Sequence, residues 1–110
     1  MTSFILVFMT ASTRVEAENI TRHLLHERLI ACANVIGPIS SLYWWKDKVE
    51  EANEFLVFMK SRQDLFERLS ARIKDLHSYE VPEIIAIPIM AALPSYLNWI
   101  NTVVESGEIE

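Results

Sequence analysis

Residues 42–60 read LYWWKDKVEEANEFLVFMK. Two β-favouring runs, Leu42-Tyr43-Trp44-Trp45 and Phe55-Leu56-Val57-Phe58-Met59, stand on either side of the charged stretch Lys46-Asp47-Lys48. Aromatic and β-branched residues suit a pleated, half-buried surface, and aspartate tolerates the left-handed backbone of a tight turn. The first run extends back to Ala31, with Gly37-Pro38 marking a bulge or bend, and the second spans Val49 to Lys60. Together they predict one long hairpin. Each arm exceeds the roughly five or six residues of an ordinary strand, so the tip is expected to project past the sheet of a small domain and to need a cover.

The flanking segments supply the rest of the sheet. Phe4 to Met9 is a continuous apolar run of strand length, which fits a strand covered on both faces. Thr13 followed by Glu16 forms a capping-box pattern in which the hydroxyl takes the Glu16 amide and the carboxylate reaches back to the Thr13 amide. A helix follows, with Ala17, Ile20, Leu24 and Leu25 as its buried stripe. Ser61 can cap a second helix in which Leu65, Phe66, Leu69, Ile73 and Leu76 face inward and Asp64, Glu67, Arg68, Arg72 and Lys74 face water. The polar link 77–83 leads to a strand from Ile84 to Met90, where Pro88 argues for a sheet edge because proline cannot donate to a ladder. Pro94 fits the first turn of a closing helix. Its apolar residues form two stripes, Leu93, Leu97, Ile100 and Val104 beside Tyr96, Trp99 and Val103.

The order strand, helix, strand, strand, helix, strand, helix matches an α+β, ferredoxin-like βαββαβ unit with an appended C-terminal helix, spanning 1–110 as a single domain. Such a unit covers one sheet face with its own helices. The two most apolar runs, as central strands, carry large side chains at odd and even positions, so the bare face is apolar too. Association is the usual cover for such a patch, and a closed homo-oligomer is expected.

Composition narrows the function. Fifteen acidic against ten basic residues give a formal charge of −5, which offers no basic field for a phosphate backbone. Nucleic acid is not an expected partner. The single Cys32 makes no intramolecular disulfide, the opening apolar run lacks a positively charged leader, and it is shorter than the roughly 20 residues of a membrane span. A cytoplasmic protein without membrane contact is expected. There is no Gly-rich phosphate loop, no close set of histidine and cysteine ligands, and no nucleophile motif, so the chain reads as non-catalytic.

Four co-linear segments, Ala31-Cys32-Ala33-Asn34-Val35-Ile36, residues 41–51, residues 77–84 and Tyr96-Leu97-Asn98-Trp99-Ile100, resemble the CutA family of divalent-cation tolerance proteins. They cover nearly the whole chain in the family's order. The resemblance implies a ferredoxin-like subunit in a tight trimer, similar in architecture to PII-type signalling proteins. It further implies a cytoplasmic role in metal tolerance, with copper or another divalent ion as ligand in some members.

Enterobacterial relatives are described as holding copper through a cysteine ending the first strand and two adjacent histidines before a Tyr-x-x-Pro-Glu segment. Here Met9 stands at the first position and Leu76-His77 at the second. The candidate metal ligands are His77, Cys32, Met9 and Glu83, with the Met9 thioether and the His77 imidazole suiting Cu(I). Each has a plain structural alternative: Met9 and Cys32 as core, His77 as a loop histidine bonded to backbone or carboxylate. His23 and His26 are read as a solvated helix face. A second constellation, Tyr43, Trp45, Glu54 and Lys60 on the hairpin with Tyr79 on the link, suits a small-ligand cleft at a subunit boundary or an aromatic interface anchor. Three classes remain open: a trimer that binds divalent metal, a PII-like sensor of a small ligand, and a trimer that only binds a partner.

Overall fold

The computed structural model describes residues 3–105. Four strands and three helices follow in the expected order: β1 Phe4–Ala11, α1 Arg14–His26, β2 Cys32–Trp45, β3 Lys48–Arg62, α2 Phe66–Leu76, β4 Ile84–Pro88 and α3 Pro94–Val103. They build one antiparallel sheet ordered β2-β3-β1-β4. The two most apolar runs are thus the central strands, and Pro88 lies on an edge. The closing strand stops at Pro88, two residues short of the expected Met90.

The hairpin arms are 14 and 15 residues long, and the molecule measures 45 × 28 × 24 Å. Trp45 pairs directly with Lys48, so the turn has only two residues, Lys46 and Asp47, at φ 50° and 64°. Positive φ at both central positions is the type I′ geometry, whose twist matches that of the flanking strands.

Ile5, Val7, Met9 and Ala11 of β1 and Val57 and Met59 of β3 lie under α1 and α2, against Ala17, Ile20, Leu24, Leu69 and Ile73. Complete burial of each leucine or isoleucine in this layer contributes about 1.5–3 kcal/mol. Leu25 is 40% exposed, and the fourth buried position on α1 is Thr21, whose hydroxyl donates to the Glu18 carbonyl. The α1 stripe is therefore the expected one at Ala17, Ile20 and Leu24, with Thr21 in place of Leu25. A second cluster of Ala31, Leu65, Ile100 and Val104 seats α3 at the sheet's end. Arg28 ends α1 at φ 62°, with the Arg28 and Leu29 amides donating to Leu25 and Leu24 carbonyls. This is a Schellman cap with arginine where glycine is usual.

Ser61 does not cap a helix. It belongs to β3 opposite Ile5, is fully buried, and donates its hydroxyl to the Leu29 carbonyl at 2.6 Å. A short 3₁₀ turn, Gln63–Leu65, intervenes before α2. Substituting Ser61→Ala leaves that carbonyl without its partner and should cost about 1–3 kcal/mol in urea unfolding; an unchanged midpoint would show that the bond contributes nothing.

Among the described residues no helix lies over the centre of the opposite sheet face. Phe8 and Phe58 meet there with ring centroids 5.1 Å apart, beside Ile36, Ile85 and Ile87, which are 42%, 47% and 42% exposed. Large apolar residues at both parities of the central strands thus leave the second apolar face open, as their sequence requires.

Candidate functional site

The pairing of β2 with β3 slips once. Ile36 faces Leu56, but Ile39 faces Glu54, so β2 holds one extra residue around the cis Gly37–Pro38 bond. Because side chains alternate with period two, a single insertion exchanges the faces of everything beyond it. Asn34 and Ile36 share the bare face with Phe58 and Leu56, whereas past the bulge Ile39, Ser41, Tyr43 and Trp45 do. The bulge therefore turns Tyr43 and Trp45 toward Glu54 and sends Trp44 to the other side.

These side chains form one wall of a cleft of about 660 Å³. Glu54 and Thr10 lie at its sheet side, and the link between α2 and β4 closes it with Tyr79, Glu80, Val81 and Glu83. Glu54 is 8% exposed and accepts the Tyr79 hydroxyl through Oε2 at 2.7 Å. Among the described residues no protein donor meets Oε1. Burial first, then the hydrogen bond to Glu54 and its charge, pushes the Tyr79 phenol well above its ordinary value, so Tyr79 stays a donor at neutral pH.

The link is pinned from below. His77 is buried, its Nε2 2.7 Å from the Thr10 carbonyl and its Nδ1 accepting the Tyr79 amide at 3.1 Å. The amide contact assigns Nδ1 as acceptor, which leaves Nε2 to donate. Glu16 has left its expected capping role: Thr13 Oγ1 takes the Glu16 amide as predicted, but the carboxylate accepts the Ser78 amide at 2.7 Å instead of returning to Thr13. Burial alone would push the Glu16 carboxyl up. Hydrogen bonds from Ser78, then the electrostatic influence of His77 and a hydrogen bond from the Ser12 hydroxyl, outweigh it and hold the group below the usual range. A carboxyl lowered on folding contributes stability that is complete above its unfolded value of 4.5 and is lost as pH falls through its folded value. Urea unfolding from about pH 6 to pH 3 should show a shallower acid loss for Glu16→Gln than for the parent; parallel profiles would remove Glu16 as a source of that loss.

The hairpin candidates divide. Tyr43, Trp45, Glu54 and Tyr79 line the cleft, but Lys60 does not. Lys60 lies six residues along β3 from Glu54, roughly 20 Å away, opposite Cys32 and hydrogen-bonded to Asn34. Thr10, Ser41 and Val81 were not singled out beforehand; only Ser41, two residues before Tyr43, carried a signal.

The four metal candidates occupy separate settings. Met9 is fully buried beneath the helices. His77 already uses both ring nitrogens. Cys32 sits at the far end of β2, its sulfur 3.4 Å from the Tyr96 hydroxyl. That contact first, then burial, raises Tyr96 to about 12. Only Glu83 reaches the cleft. Among the described residues no three His, Cys, Asp or Glu side chains gather to hold a metal ion, so this set does not fit a copper site within one chain. His23 is engaged locally, its Nδ1 donating to the Asn19 carbonyl at 2.9 Å.

The family model of the CutA1 divalent ion tolerance proteins matches residues 5–103. The chain belongs to the CutA family. It is 41% identical to the divalent-cation tolerance protein CutA of Archaeoglobus fulgidus over 99 residues, 90% of this chain and 96% of that one. The CutA protein of Pyrococcus horikoshii is 44% identical over 96 residues, 87% and 93% of the two chains. The crystallised CutA of Archaeoglobus fulgidus, described as periplasmic, superposes with a TM-score of 0.90 at 40% identity, covering 93% of this chain and 99% of that one. The CutA fold and its place among the divalent-cation tolerance proteins are thereby established.

Proposed function

We propose that this CutA chain is a cytoplasmic homotrimer which serves divalent-cation tolerance as a PII-like receptor, holding a small ligand in the cleft between the hairpin and the link 79–83. The observation that carries this reading is the cleft itself: a nearly buried Glu54 with one oxygen unpaired, below aromatic walls that the β2 bulge has turned inward. Clefts of several hundred Å³ with few convergent polar groups are the usual form of small-ligand sites. The trimer is supported by the open face around Phe8 and Phe58, with which the cleft is continuous, and by the family resemblance. Sedimentation at three times the 12.7 kDa chain mass tests it, and a stable monomer at micromolar concentration would end it. No described helix is long and apolar enough to cross a membrane. Fractionation of expressing cells tests the cytoplasmic placement, with recovery in the periplasm as the contrary result.

Thermal-shift screening of the assembled protein against small organic ions should reveal a stabiliser whose effect is lost in Trp45→Leu; a stabiliser indifferent to Trp45 would place the site elsewhere. Direct binding of copper or another divalent ion is the second reading, favoured by the family's description. His77 is not a ligand in either reading. Calorimetric titration with Cu(II), and with Cu(I) under reducing conditions, should give the same isotherm for parent and His77→Ala. The variant should instead lose about 1–3 kcal/mol of stability through the stranded Thr10 carbonyl and Tyr79 amide. Saturable copper binding abolished by His77→Ala would overturn this assignment.

A further inference from the structure

The cleft's chemistry is one-sided. Three carboxylates, Glu54, Glu80 and Glu83, line it together with the rings of Tyr43, Trp45 and Tyr79, and no lysine or arginine is among its lining residues. Lys46 and Lys48 stand at the hairpin tip outside it, and Lys60 is at the far end of β3. An anionic ligand would meet three like charges here, opposed by the Lys46 ammonium beside the Trp45 ring at the hairpin tip. A bare divalent ion would need several oxygen ligands at once, and the carboxylates do not gather closely enough to supply them. Organic ammonium groups satisfy both halves of the lining, because aromatic faces attract a cation through the ring quadrupole and a desolvated carboxylate pairs with it. The chain shows the first half of this already: the Lys46 ammonium lies 5.7 Å from the centroid of the Trp45 ring.

From this arrangement we infer that the CutA cleft recognises an organic cation, an alkylammonium group seated between Trp45 and Tyr43 with the unpaired Oε1 of Glu54 as its counter-charge. This rests on the cleft being the ligand site and adds the class of ligand. Tyr79 acts as a positioning residue: by donating to Oε2 it fixes the Glu54 carboxylate and leaves the other oxygen facing the ligand.

The test uses the assembled protein with Trp44→Phe and Trp99→Phe, which leaves Trp45 as the sole tryptophan. Choline and butylammonium are titrated against its fluorescence, with 3,3-dimethylbutan-1-ol as the uncharged analogue of choline and succinate as the anion. Saturable response to either cation is expected, with the alcohol at least tenfold weaker. Glu54→Gln keeps the shape and an acceptor for Tyr79 but removes the charge, and should weaken cation binding about tenfold or more. Trp45→Leu, at a position 58% exposed and so harmless to folding, should abolish the response to either cation when followed by calorimetry. Equal binding of the alcohol, or binding unaffected by Glu54→Gln, would overturn the inference. Saturation by succinate alone would refute the cationic class while leaving the cleft as a ligand site. Silence toward all four probes would remove both.

Discussion

With Ile85 replaced by glutamate, the protein should sediment as a single 12.7 kDa chain rather than as a trimer, with its circular dichroism unchanged. Ile85 pairs with Phe8 at the middle of the open sheet face and is 47% exposed in the single chain. A carboxylate there keeps enough water in the monomer to leave the fold intact. Burying it in an interface without a cationic partner costs several kcal/mol for each copy, and threefold symmetry repeats the cost at every subunit. Lys60, which lies on that face, is committed to Asn34. Dissociation should be complete at micromolar concentration, and the cleft variants should then be remeasured, since a cleft continuous with this face should bind less tightly once the neighbour is gone. A variant that keeps the trimer mass would move the interface off this face altogether.

Much of this architecture was legible because hydrophobic periodicity reports directly on burial. Phe4 to Met9 and Phe55 to Met59 are apolar at odd and even positions, and both became central strands with one face under helices and one left open. The turn at Lys46-Asp47 was readable from local chemistry. The errors share a cause. Ser61 has the chemistry of a cap, but the β3 ladder continues through it and its hydroxyl met a carbonyl 32 residues away in sequence. Lys60 has the same parity as Glu54 and so the same face, yet parity says nothing about distance along a strand. For Glu16, the competitor that drew its carboxylate from the cap was the Ser78 amide, 62 residues on. The end of α1 was silent because arginine, not glycine, takes the left-handed position. The spacing of the metal candidates was not legible either: matching sequence positions to a ligand pattern cannot show that Met9 lies beneath the helices or that backbone groups already hold both His77 nitrogens.

Gly37 links fold and site most directly, and Gly37→Ala should damage both. A Cβ at this position would lie 2.6 Å from Phe55 Cδ2 and 3.1 Å from the Glu54 carbonyl oxygen. The first separation is far inside van der Waals contact, so something must shift. Phe55 has little freedom to yield, since it packs against the core and the Arg14 guanidinium stands 5.1 Å from its ring centroid. Overpacking of this kind costs about 1–3 kcal/mol, and a domain of this size loses roughly 4–8 °C in Tm for each kcal/mol. Straightening the bulge is no escape, because removing the extra residue from the ladder would return Trp44 to the cleft face and turn Tyr43 and Trp45 away from Glu54. Stability and ligand response should therefore fall together. The Phe55→Ala background separates the two causes: with the ring gone, Gly37→Ala should cost less than half of what it costs alone, a coupling that a double-mutant cycle measures. Equal costs in both backgrounds would show that the backbone at Gly37, and not the clash with Phe55, demands glycine.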